Sequence, residues 1–178
     1  MPSAKSYTST LKFLHWFMAI AIIGLFIAGY VMTSMAPSEL KWATYGMHKS
    51  LGFVMLVLLF VRLLSRMLRP PKIKSHSISA VHHFLIKISV PVLYLVILCM
   101  TLSGFVMSDA GGYGINLFSL YELPLLLKNM KFLAEYAHAV HVYVAPVGAT
   151  IIGFHIVAAL YHHFVLKDDT LKRMMPSK

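Results

Sequence analysis

Three stretches of the 178-residue chain contain no Asp, Glu, Lys or Arg: Phe13 to Ser38, Ile88 to Ser108 and Tyr136 to Leu166. A helix needs about 20 mostly apolar residues to cross the hydrocarbon of a bilayer, and all three meet that length. A fourth stretch, Ser50 to Val61, meets it by starting near Tyr45 and continuing past Arg62 to Ser65. Lys49 and Arg62 then lie near its two ends, where long basic side chains can snorkel to the interface. Backbone groups in lipid must be satisfied within the protein, which leaves helices or closed barrels as spanning structures. Four runs of this length predict an all-α membrane protein, a four-helix transmembrane bundle, with spans at about 13–35, 45–66, 84–108 and 138–164. One membrane domain covering residues 1–178 accounts for them, since no internal repeat or low-complexity tract divides the chain. The charged fraction agrees: 12% of residues, where a soluble domain carries about 25%.

Four spans put both termini on one side. The segments on that side hold Lys5, Lys12, Arg62, Arg66, Arg69, Lys72, Lys74, Lys87, Lys167, Lys172, Arg173 and Lys178. The opposite side holds only Lys41, Lys49, Lys128 and Lys131. By the positive-inside rule both termini are expected in the cytoplasm. The net charge of +10 is therefore a topology signal, and no nucleic-acid partner is expected. Ser34-Met35-Ala36 loosely resembles a signal-peptidase site, but the preceding apolar run is longer than the about 7–15 residues of a signal core, so it is read as a retained helix. The single Cys99 can form no intrachain disulfide and supplies no cysteine metal motif.

Between the spans, Pro37 to Ala43 reads as a short outer loop and Pro70-Pro71 as the end of the second helix. Residues Asp109 to Glu135 form the longest connection. It opens on Gly111, Gly112 and Gly114, and its LFSLYELPLLL segment is expected to lie at the membrane interface. Pro91 and Pro146 fall inside helices, which membranes tolerate.

Histidine is poorly suited to face lipid, because its ring carries a donor and an acceptor that hydrocarbon cannot satisfy. Of the ten histidines, His76, His82, His83, His162 and His163 fall in a loop or near cytoplasmic helix ends, where a solvated or interfacial place is expected. His15, His48, His138, His141 and His155 remain. Fourteen residues separate His141 from His155, a turn of about 1400°, about 40° short of four full turns, with a rise of about 21 Å. The two share a helix face near opposite leaflets. His138 would sit about 100° off that face. Matched by depth, His15 pairs with His155 toward the cytoplasm and His48 with His141 toward the outside. Ala145, Gly148 and Gly52 leave room beside them.

Two imidazoles per leaflet suit haem iron, whose porphyrin supplies the other four ligands and which then has no vacancy for a small molecule. Zinc would want four donors, or three and a water. The spacing therefore points to two bis-histidine haems, ligated by His15/His155 and His48/His141, acting in electron transfer. Arg62, fourteen residues after His48, has two readings: a clamp for a haem propionate, or a snorkelling helix-end arginine. Trp16, Tyr143, Met174 and Met175 read as interfacial.

LHWFMA around His15, MHKSLG around His48, the His141/His155 pair and the closing KDDTLKRMMP together resemble the bacterial cytochrome b561 family. The resemblance runs through nearly the whole chain in order. It implies a four-helix diheme b-type cytochrome of the bacterial inner membrane, with haem ligands at His15, His48, His141 and His155. It also implies quinone as a redox partner and, in one branch, oxidation of superoxide at the outer face with electrons passed to ubiquinone. Lys49 beside His48 could steer such an anion, although the outer basic residues are balanced by Glu39, Asp109, Glu122 and Glu135. Where relatives often carry a histidine four residues before the third-helix tyrosine, this chain has Val90 before Tyr94. Two other roles stay open on sequence grounds: an anchor subunit exchanging electrons with a periplasmic dehydrogenase or hydrogenase, and a histidine-lined metal or proton transporter. No catalytic side chain is singled out.

Overall fold

The computed structural model describes residues 7–68 and 80–175, with side chains for 7–68 and 87–175. Pro70, Pro71 and His76, and the side chains of His82 and His83, lie outside the described residues. Four long helices carry the chain: α1 (Ser9–Ser34), α2 (Glu39–Leu68), α3 (Ala80–Ala110) and α4 (Lys131–Phe164). All four are long and apolar enough to cross a membrane. Their outward faces are apolar too, with Ile20, Ile27, Leu64, Leu95, Phe154 and Val157 exposed. A helix apolar all round suits a lipid surround.

α1 begins at Thr8, whose hydroxyl accepts the Leu11 N–H at 3.4 Å. At its other end the hydroxyls of Thr33 and Ser34 donate back to the carbonyls of Gly29, Tyr30 and Val31, so neither is left unpaired. The next helix starts earlier than expected. Ser38 accepts the Lys41 N–H and Glu39 occupies the first turn, so the connection ends at Ser38 and not at Ala43. Lys41 Nζ closes that turn on the Met35 carbonyl at 2.7 Å.

α1 packs on α2, α2 on α3, and α3 most extensively on α4. Met18, Met55 and Leu59 form the buried centre of the first contacts. Pro91 and Pro146 sit within α3 and α4. The α3–α4 connection contains an antiparallel hairpin, β1 (Asn116–Leu117) with β2 (Tyr121–Glu122). Three residues, 118–120, join the strands; Phe118 and Ser119 take left-handed φ angles of 52° and 60° at the centre of a turn closed by the Leu120 N–H on the Leu117 carbonyl at 2.9 Å. Neither is glycine. The turn is instead tied to Ser50 of α2, fully buried, whose Oγ accepts Phe118 N–H at 3.1 Å and lies 3.0 Å from the Asn116 carbonyl. Asp109, 3% exposed, accepts N–H groups of Leu126 and Leu127 and anchors the rest of the loop. The LFSLYELPLLL segment thus begins as a docked hairpin.

We call this the hairpin end of the bundle and the opposite one the terminal end. Beyond α4 the chain turns back at Lys167 (φ 52°) into a short 3₁₀ turn, Lys172–Met174.

Candidate functional site

The backbone brings the four singled-out histidines together in twos. At the hairpin end, the third turn of α2 presents His48 and the third turn of α4 presents His141, with ring centres 6.3 Å apart and planes at 82°. At the terminal end, the second turn of α1 presents His15 and the last third of α4 presents His155, at 6.2 Å and 74°. All four rings are half-buried, whereas His138 is exposed. Among the described residues no three His, Cys, Asp or Glu side chains come together as a metal site.

The spacing can be tested against a shared metal. Two imidazoles on opposite sides of one metal, each with a metal–nitrogen bond of about 2.0 Å and a ring centre about 1.2 Å further on, have centres about 6.4 Å apart. A direct N–H···N hydrogen bond of about 2.9 Å would draw them to about 5.3 Å. Both pairs stand at the metal-bridging distance.

The hairpin-end pair faces a cavity of about 720 Å³, lined by His48, Lys49, Gly52, Phe53, His141 and Ala145 among others and almost wholly apolar. Cofactor pockets span about 300–1,000 Å³. A Cβ added at Gly52 would meet nothing within 4 Å, so that position leaves the cavity open, as expected from the sequence. Gly148 has a different use: an added Cβ would lie 3.0 Å from Val96 Cγ1 and 3.3 Å from Phe26 Cζ, so it allows close helix packing. Two glycines that sequence reasoning missed cradle the rings. A Cβ on Gly29 would come 3.4 Å from His48 Cε1, and one on Gly104 3.0 Å from His141 Cε1. Both lie on helices other than that of the histidine they touch, so no local spacing marks them.

His141 Nδ1 lies 2.9 Å from the Met100 carbonyl and 3.2 Å from Ser103 Oγ. A carbonyl only accepts, so the Nδ1 proton points to it and the Nε2 lone pair is left to bind a metal. His48 Nδ1 is buried with no hydrogen-bond partner. A flat, largely apolar cofactor held at its centre by two nitrogens fits this chemistry.

The terminal-end pair has a different neighbour. Arg62 reaches inward from α2, its Nη2 3.1 Å from His15 Nδ1 and its Nε donating to Tyr94 Oη at 3.1 Å. Arginine has no lone pair to offer, so His15 Nδ1 accepts here. The guanidinium is thus turned into the bundle and pinned by α3. A metal taken up at Nε2 would move the ring proton to Nδ1 and end the His15 bond, while the bond to Tyr94 keeps the cation against the site.

At this end Trp16, edge-on to His15, donates its indole N–H to the Met174 carbonyl at 3.0 Å. His162 is buried, not solvated as its helix-end place suggested, because the returning chain sets Asp168 against its Nδ1. Against a burial cost that raises it, hydrogen bonds from His162 and Thr170 hold the Asp168 carboxyl at about 2. At the hairpin end, Lys49 does not project freely: its Nζ binds the carbonyls of Gly114 at 2.8 Å and Tyr113 at 3.3 Å. Tyr143 is well exposed on α4.

Known proteins resemble this chain along nearly its whole length. The family described as prokaryotic cytochrome b561 matches residues 6–177. "Cytochrome b561 homolog 2" of Escherichia coli (strain K12) is 32% identical over 163 residues, covering 90% of this chain and 86% of the relative. "Probable superoxide oxidase CybB" of Yersinia pestis is 29% identical over 181 residues, 98% of each protein. "Cytochrome b561 homolog 1" of the same E. coli strain is 26% identical over 183 residues, covering 97% of this chain and 98% of the relative.

Proposed function

This chain belongs to the prokaryotic cytochrome b561 family, a family of multi-pass membrane electron-transfer proteins that implies b-type haem, and from that premise we propose that it holds two such haems and relays single electrons between the two faces of the bilayer. His48 and His141 would hold the group at the hairpin end, and His15 and His155 the one at the terminal end. The observation that carries this reading is the pair of ring separations, 6.3 and 6.2 Å, each within about 0.2 Å of the span of one metal between two imidazoles. A bound haem would supply reversible one-electron chemistry at its iron.

The protein's own part is to place, dry and tune. Gly29 and Gly104 back the hairpin-end rings, the Met100 carbonyl fixes the His141 proton on Nδ1, and apolar walls keep water from the cavity. The basic excess of the terminal end supports a cytoplasmic position for it, with the chain in the inner membrane of a bacterium and the hairpin end outside. Ubiquinone is the membrane partner of this reading, and the outer partner meets the hairpin-end site. The Yersinia relative's name favours superoxide as that donor, its electron passing to quinone. Histidines gathered in twos favour this role over a metal or proton transporter.

The test is haem stoichiometry on the purified full chain. Pyridine haemochromogen should give two b-type haems per polypeptide, both reduced by dithionite. One haem, or a colourless protein from haem-replete cells, refutes the assignment. Superoxide-dependent reduction of added ubiquinone should follow in the same preparation, and its absence would move the outer donor to a periplasmic redox protein.

A further inference from the structure

We infer that Arg62, pinned by Tyr94, makes the terminal-end site the more oxidising of the two, so that an electron entering at the hairpin end runs downhill to the terminal end. This rests on the two-haem reading above. The two ring pairs have nearly the same separation and inclination, so a difference in potential must come from what surrounds them. Axial ligand, hydrogen bonding to that ligand, burial and local charge are the available levers.

Ligand type is the same at both ends. Hydrogen bonding and charge are not. At the hairpin end a neutral carbonyl takes the His141 Nδ1 proton, which makes the ring a stronger electron donor and favours the oxidised metal. At the terminal end a permanent cation is held beside His15 by its bond to Tyr94 Oη, and at that range a charge acts strongly. A positive charge there favours the state with one more electron. Arginine keeps that charge at every accessible pH.

Other charges do not reverse this order. Lys12 is buried one turn before His15 and adds to the positive field of the same end. Asp168 opposes it, but its carboxylate is taken up by His162 and Thr170. Lys49 lines the hairpin-end cavity, yet its ammonium is turned to two backbone carbonyls whose dipoles offset it. Asp109, the acid of that end, is consumed by loop N–H groups. The electron balance is simple: one haem loses an electron, the other gains it, and no proton or further reactant is needed.

Spectroelectrochemical titration of the full chain in detergent tests this. Wild type should titrate as two one-electron components. R62Q should lower the higher-potential component enough to cut the equilibrium for electron sharing at least tenfold, which is 59 mV for a one-electron couple. The lower component should stay in place and haem content should remain two per chain. R62K should keep part of the difference, and Y94F, which frees the guanidinium, should shift the same component less. S103A should move only the lower one. Two components that R62Q leaves unmoved, or movement of the lower one, would overturn the inference. Should R62Q lose haem, unmoved potentials in both R62K and Y94F would overturn it equally. Fewer than two haems in wild type would instead overturn the reading beneath it.

Discussion

At the hairpin end, His48 and His141 stand beside a large apolar cavity, backed by glycines and fixed by a backbone carbonyl. At the terminal end, His15 and His155 keep nearly the same spacing but lie beside Arg62 and Trp16, whose indole N–H reaches the returning tail. The helices alone set the internal geometry of each pair, through their spacing along α4 and the matched depth of their partners. What differs is supplied by residues remote in sequence. A symmetric scaffold thereby carries two chemically unequal sites, and a relay with direction needs that inequality.

The strongest way to break the comparison is to remove one pair and ask whether the other survives. H141A should cut haem content from two per chain to one, and H155A should do the same at the opposite end, each measured by pyridine haemochromogen. Loss of both haems from either variant would show that the sites are one cooperative unit. A sharper probe is G104A. Its new Cβ would sit 3.0 Å from the His141 ring, an over-packing of the kind that costs about 1–3 kcal/mol. Haem affinity should fall at the hairpin end only, while G24A, whose Cβ would meet nothing within 4 Å, should match wild type.

That part of the contrast which rests on α4 was legible in the sequence. Fourteen residues between His141 and His155 fix a shared face, and the charge-free stretches fix the four helices. Arg62 was also singled out from the sequence, but the cradle and the hydrogen-bond partners that fix each site were not legible. The Met100 carbonyl has no side-chain signature, and the Gly29–His48 and Gly104–His141 contacts join separate helices. Trp16 and Met174 are 158 residues apart. Gly148 and Lys49 were visible as residues but have other uses, one in helix packing and one in holding the loop. The early start of α2 followed from Ser38, a strong N-cap residue overlooked because the reading followed apolarity and not caps.

Smaller effects sharpen the picture of what covers each end. S50A removes a fully buried hydroxyl that accepts the Phe118 N–H, leaving that group unsatisfied at a cost of about 1–3 kcal/mol. Thermal unfolding should begin earlier, and the hairpin-end haem should become accessible to exogenous ligands before the other. The terminal end should show a pH dependence of its own. Asp168 is held at about 2 against an ordinary 3.8, so its contribution to the tail is complete above pH 4 and disappears as pH falls through 2. Trp16 fluorescence should stay constant from pH 8 to about 5 and change only in that acid window.

Low-temperature electron paramagnetic resonance of the oxidised protein tests the two-site claim most directly. Ring planes inclined at 82° and 74° predict two low-spin ferric haems per chain, both with the highly anisotropic signal of near-perpendicular axial imidazoles. A high-spin signal, or low-spin intensity equal to a single haem per chain, would contradict it.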